Sequence, residues 1–184
     1  VKRRGPTAGG GPDVDMGYGG DVASLDVELV SLLLSRAFGP VVMPLGVADD
    51  GTAYHIVSDR LAGELARALR AEKLVLMTNA QGLAGRDGRL AAILAAKEVD
   101  ALLAAGRVDG EMRERAIAAV DAVRSGVRSV HLIDGGVPSA LLLEVLTADG
   151  VGTAIRSDDG PHFLEDSRAY LLEGSASAEP ARRT

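Results

Sequence analysis

A chain of 184 residues, 47% apolar and 25% charged, can bury one substantial core and is expected to form one globular domain with frayed ends. A net charge of −6 and a pI near 5.1 argue against the concentrated basic face of a nucleic-acid binder and against attraction to anionic lipid, although local groups can still hold phosphate. The absence of cysteine removes disulfides, thiolate zinc sites and cysteine nucleophiles. No run approaches the roughly 18 apolar residues of a membrane span, and VKRRGPTAGGGP does not continue into a signal peptide, so a cytoplasmic location is expected. The first residue is Val and not Met, which leaves a piece of a longer chain as an expectation.

The basic, then Gly- and Pro-rich residues Val1 to Pro12 read as a mobile arm, and Gly9 to Gly11 as linker, because no apolar strand precedes them and no helix follows directly. After a short Gly-rich stretch from Gly17 to Val22, Leu25, Leu29, Leu32 and Leu33 recur at helical spacing as far as the stop at Phe38-Gly39-Pro40. Val41 to Leu45 suits a buried strand with Pro44 at its end or at a bulge. Asp49-Asp50-Gly51 marks a turn, and Tyr54 to Val57 is the returning strand of a hairpin.

Ser58, a suitable N-cap, and Asp59 open a helix with Leu61, Leu65 and Leu69 on one face and small alanines for close approach to a sheet. Leu74 to Met77 is a continuous apolar run, as in a parallel strand buried on both sides. Beyond it lies the loop from Asn79 to Leu90. Helices are predicted through Ala95 to Ala105 and from Met112 to Arg124, the second capped by Gly126. Val130 to Ile133 is another buried strand, Ala140 to Leu146 a helix, and Val151 to Ile155 the last strand. Alternation of strands with helices of about ten residues implies crossover connections and an α/β fold with a largely parallel sheet covered on both faces. Phe163 to Leu172 is a further candidate helix, and Glu173 to Thr184 reads as disordered.

The residues able to do chemistry are few. His55, His131 and His162 are too scattered for a metal cluster, and no H-E-x-x-H, Walker A or G-x-S-x-G sequence occurs. His131, inside an apolar strand, reads as a core histidine with a backbone partner. Asp59 serves equally well as a first-turn acid complementing the helix dipole or as a functional carboxylate. Asn79, Gln81 and Gly82 lie just past a strand end, where α/β proteins hold ligands. Arg107-Val108-Asp109 leads into a helix N-terminus suited to phosphate, but the following alternation of Glu111, Arg113, Glu114 and Arg115 also fits a solvated helix face.

Taken together, DMGYGGDV, PVVMPLGVADDGTAYHIVSD, LAGELARALRAEKLVLMTNAQGL, MRERAIAAVDAVRSGVRSVHLIDG and VPSALLLEVLTADGVGTAI resemble the C-terminal two-thirds of acetylglutamate kinases, members of the amino-acid kinase family. The resemblance implies an αβα sandwich with a mainly parallel sheet over residues 15–156, between a flexible arm (1–14) and a partly disordered tail (157–184). It also implies ATP, with Mg2+ carried on the nucleotide, as phosphoryl donor to the side-chain carboxylate of N-acetylglutamate in arginine biosynthesis. Asp59 matches the aspartate that organises the catalytic lysines. Thr78, Asn79, Ala80, Gln81, Gly82, Leu83 and Ala84 match the nucleotide loop, and Arg107, Val108 and Asp109 a second nucleotide contact.

Three positions depart from the family pattern. His55 replaces a substrate-binding asparagine, Asn79 an aspartate of the nucleotide loop, and Arg115 the second catalytic lysine, whose compact ammonium a planar guanidinium does not reproduce. The family's first strand, with its lysine and Gly-Gly loop, and its substrate-binding arginine are not found before Gly17. The chain alone is therefore expected to be weakly active or inactive. A catalytically dead nucleotide-binding or regulatory subunit, and a kinase of acetylaminoadipate, stay open beside the kinase reading, as does homo-oligomerisation.

Overall fold

The computed structural model describes residues 2–3, 17–147 and 150–158. Of the expected arm only the backbone of Lys2–Arg3 is described, as a short strand; Gly9 to Gly11, His162, the candidate helix Phe163 to Leu172 and the tail beyond it lie outside the described residues.

The element order is β1 (Lys2–Arg3), β2 (Gly19–Asp21), α1 (Glu28–Ser35), β3 (Leu45–Val47), β4 (Ala53–Ile56), α2 (Ser58–Ala68), β5 (Lys73–Thr78), β6 (Ile93–Ala95), α3 (Ala96–Ala104), α4 (Gly110–Arg124), β7 (Ser129–Asp134), α5 (Ala140–Leu146) and β8 (Thr153–Arg156). The α/β architecture expected from the sequence is present as two four-stranded sheets, ordered β1-β2-β4-β3 and β5-β7-β8-β6. Parallel pairing joins β2 to β4, β5 to β7 and β6 to β8. The other three pairs are antiparallel, including β7 with β8, where Leu132 faces Thr153 and Ser129 faces Arg156.

Side chains alternate across β7, so its two faces meet different chemistry. Val130 and Leu132 join Leu76, Leu94 and Ile155 in a core closed by Ala66 of α2, Val99 and Leu102 of α3, and Ala116, Ala119, Val120 and Val123 of α4. Each fully buried Val, Leu or Ile contributes about 1.5–3 kcal/mol. Ser129 and His131 point the other way, towards α5. There His131 Nδ1 lies 2.6 Å from Glu144 Oε1, and His131 Nε2 lies 2.9 Å from Ser129 Oγ. Glu144 Oε2 accepts hydrogen bonds from the Val151 and Gly152 amides at 2.6 and 3.2 Å, which fixes the approach to β8. His131 is thus a core histidine as predicted, but side chains and not the backbone are its partners.

Other expectations need correction. Val57, not Ser58, occupies the N-cap position of α2, and no side chain caps that end. The segment read as a buried strand, Val41 to Leu45, is exposed, with Val41 96% accessible; the strand forms later, at Leu45–Val47. No residue of α1 is buried, despite its leucine pattern. Periodicity shows which face is apolar, but not whether anything covers it. The three-residue strand β6 falls between the predicted loop and helix, overlapping the helix only at Ala95, and is too short to carry a pattern of its own.

The buried pair predicts acid sensitivity. Burial pushes the His131 imidazole below its ordinary 6.5, outweighing the opposing pull of Glu144. Burial works against the Glu144 carboxylate too, but hydrogen bonds from His131, Val151 and Gly152 hold its pKa below 4.5. The unfolded chain therefore binds more protons than the folded one as pH falls. The stabilisation is complete above pH 6.5 and is lost on acidification, first through the histidine range and then through the carboxylate range. Urea midpoints should decline from pH 7.5 to 4, and Glu144→Ala should cost about 3 kcal/mol at pH 7.5 by leaving the buried His131 ring and the Val151 and Gly152 amides without their acceptor.

Candidate functional site

Two helices place the charged pair at the centre of the site. Gly63 of α2 faces α4, where a Cβ would stand 3.5 Å from Ala122 Cβ and 3.9 Å from the Ala118 carbonyl oxygen. This close approach sets Asp59, in the first turn of α2, opposite Arg115 of α4, with Asp59 Oδ2 3.4 Å from Arg115 Nε. Both side chains are largely shielded, at 24% and 20% exposure, so the pair is screened less than a surface ion pair. Glu111, one turn earlier on α4, reaches Arg115 Nη1 at 3.3 Å but is itself exposed. The solvated-face reading suits Arg113, which donates to the Leu103 carbonyl, and the exposed Glu114; Arg115 is the exception.

The nucleotide loop predicted from sequence begins where β5 ends. Thr78 is buried, and its hydroxyl accepts from the Ala80 amide at 2.9 Å and donates to the Ala80 carbonyl at 2.7 Å, a tight turn that presents Asn79 and Gln81 to solvent. Neither Asn79, Gln81 nor Gly82 has a hydrogen bond among the described residues. Leu83 is buried and Ala84 exposed; Ala84 bridges to Leu90 around the Asp87-Gly88 turn. Gly82 has φ +146°, and a side chain there would collide with Thr153 Oγ1.

Arg107 lies over the same hairpin, donating from Nη1 to the Arg86 carbonyl at 2.7 Å. Val108, 6% exposed, belongs to the core, so any ligand contact it makes is through its backbone. Asp109 is the exposed N-cap residue of α4 and makes no capping bond with its side chain. His55 stands apart on β4, exposed, paired in register with Leu45 and Gly19 in the other sheet. The structure therefore joins Asp59 to Arg115, and Arg107 to the hairpin following the Asn79 loop. Among the described residues, no group of three or more His, Asp or Glu side chains could hold a metal ion, and no helix is long and apolar enough to cross a membrane. A groove of about 220 Å³ between α2 and α4 is lined by Asp21, Arg60, Gly63, Arg67 and Asp121, but Arg60 and Arg67 are already engaged by Asp21 and Glu64.

Residues 4–134 match the family model described as the amino acid kinase family. The chain belongs to the amino acid kinase family. It is 53% identical over 148 residues to the acetylglutamate kinase of Chromobacterium violaceum, a match covering 80% of this chain and 51% of that one. The acetylglutamate kinase of Psychrobacter cryohalolentis is 46% identical over 147 residues, with 80% and 49% covered. The chain spans about half the length of the curated relatives it matches, a smaller share than the resemblance alone implied. Among solved structures, N-acetylglutamate synthase from Neisseria gonorrhoeae, complexed with coenzyme A and L-arginine, superposes with a TM-score of 0.74 at 27% identity, covering all of this chain and 45% of that one. Isopentenyl phosphate kinase of T. acidophilum, at 17% identity and a TM-score of 0.53, shares the fold over 73% of this chain and 55% of its own.

Sequence reasoning gave Thr153 no role beyond its strand and read Glu111 only as part of a solvated helix face. Glu111 carried a signal, four residues before Arg115 on one helix face. Thr153 carried none, because its partner Leu83 lies 70 residues away.

The buried Gly63 and the half-buried Gly82 give opposite expectations for one substitution. Gly63→Ala fits at ordinary contact distance within a helix and should be neutral or stabilising by up to about 1 kcal/mol. Gly82→Ala meets Thr153 at a strained φ and should cost about 1–3 kcal/mol. Urea unfolding of both variants measures the difference in sign.

Proposed function

We propose that this chain is the nucleotide-binding part of an acetylglutamate kinase, a cytoplasmic enzyme of arginine biosynthesis. The reaction moves the γ-phosphoryl group of ATP to the side-chain carboxylate of N-acetylglutamate, breaking the bond to the ADP oxygen and forming an acyl phosphate. The observation that carries this reading is the Asp59–Arg115 pair, a shielded cation held in place by a carboxylate, in a chain 46–53% identical to acetylglutamate kinases. Phosphoryl transfer needs positioning and positive charge more than covalent chemistry. Arg115 would neutralise phosphoryl oxygens, with Asp59 fixing its guanidinium. The amides of Asn79, Gln81 and Gly82 would receive the nucleotide, and Arg107 would stiffen the hairpin beside them. His55 would offer an imidazole N–H to the acyl amino acid. Magnesium would enter on the nucleotide, as in other kinases.

A second reading, a nucleotide-binding or regulatory subunit without chemistry, is favoured by one observation. Arg115 faces both Asp59 and Glu111, so its charge is largely compensated before any phosphate arrives. Calorimetry with Mg-ATP and an assay for acetylglutamyl phosphate separate the two. Binding with turnover once the upstream residues are supplied supports the kinase, binding without turnover even then supports the subunit, and no heat at millimolar Mg-ATP removes both. Glu111→Gln should tighten Mg-ATP by about two- to fivefold, the worth of an exposed ion pair, whereas Arg115→Met should weaken it about tenfold. Arg115→Lys should not by itself raise phosphate transfer, because the fork and the ammonium place charge differently.

A further inference from the structure

Thr153, the first residue of β8, has no accessible surface, yet its hydroxyl makes contacts on both limbs of the nucleotide hairpin. Oγ1 accepts a hydrogen bond from the Leu83 amide at 2.9 Å and donates to the Ala91 carbonyl at 2.7 Å. The Leu83 carbonyl, 3.4 Å away, shares the same donor and also accepts from the Ala91 amide at 2.9 Å. A side chain at Gly82 would run into this hydroxyl, so the loop backbone sits directly on it. One buried hydroxyl thus fixes where the Thr78–Ala84 loop ends and its return limb begins. The neighbouring Gln81 and Gly82 amides, without partners among the described residues, lie in the segment that this hydroxyl holds.

We propose that Thr153 is a positioning residue of the nucleotide loop: its hydroxyl latches the Gly82-Leu83 turn to β8 and thereby keeps the adjacent amides in the conformation that receives ATP. This rests on the nucleotide-binding reading given above. Valine has the shape of threonine but neither donor nor acceptor, so Thr153→Val leaves the Leu83 amide and the Ala91 carbonyl buried without this partner. Serine keeps the hydroxyl and drops only a methyl group.

The test pairs Mg-ATP calorimetry with amide exchange followed by NMR, using Val130 and Leu132 as internal references for the core. Thr153→Val should weaken Mg-ATP binding about tenfold and speed Leu83 exchange about tenfold while the reference amides keep their protection. Thr153→Ser should stay within about twofold of the unsubstituted chain on both readouts. Unchanged affinity and unchanged Leu83 exchange in Thr153→Val would overturn the latch, as would equal losses in the valine and serine variants. If the valine variant does not fold, exchange in the unsubstituted chain decides. Leu83 protected like the core without nucleotide supports the latch, and Leu83 exchanging like an exposed amide overturns it. If the unsubstituted chain binds no Mg-ATP while Leu83 is protected, the nucleotide reading fails and the claim that Thr153 positions an ATP loop falls with it, leaving only the local bond.

Discussion

Close packing of α2 on α4 is the constraint from which the candidate site follows. It is possible because the contact is made by small residues, Gly63 against Ala118 and Ala122, while Ala116, Ala119, Val120 and Val123 seat α4 on the core. Small side chains let the helix backbones approach, and that approach carries Asp59 to within an ion-pair distance of Arg115. Larger residues at the contact would have left two separate charged positions on two helices. The pair is a product of helix packing before it is a product of electrostatics.

The opposite side of the sheet is built on polar bonds. Ser129, His131 and Glu144 form a buried chain of hydrogen bonds, and Glu144 spends its second oxygen on the Val151 and Gly152 amides. These amides precede Thr153, so the carboxylate fixes the segment that delivers a hydroxyl to the hairpin after β5. Gly152 is needed there because any side chain would meet the Leu132 carbonyl oxygen. Buried polar groups of this kind are stabilising only while every partner is present, which makes the arrangement specific as well as vulnerable to acid.

The departures from the family pattern take on physical meaning in this setting. Arg115 is no isolated replacement for lysine, since Asp59 and Glu111 both address its guanidinium, and a planar fork can serve two carboxylates where an ammonium concentrates its charge. Asn79 lies exposed at the mouth of the Thr78 turn. His55 lies in the other sheet, apart from the Asp59–Arg115 pair.

The sequence by itself determined the α/β class and most of the helices and strands, and it singled out Asp59 and Arg115 without pairing them. Apolar periodicity, turn residues and family motifs are local signals, and α2, β5, α4 and β7 each carry one strongly. Only the tertiary structure decided that β8 runs antiparallel to β7, that α1 and Val41 to Met43 stay exposed, and that His131 pairs with Glu144. It alone placed Thr153 beneath Leu83 and put Val108 in the core. The physical reason is common to all of these: hydrogen bonding and burial depend on what lies across space, whereas pattern along a chain reports only which side of each element is apolar.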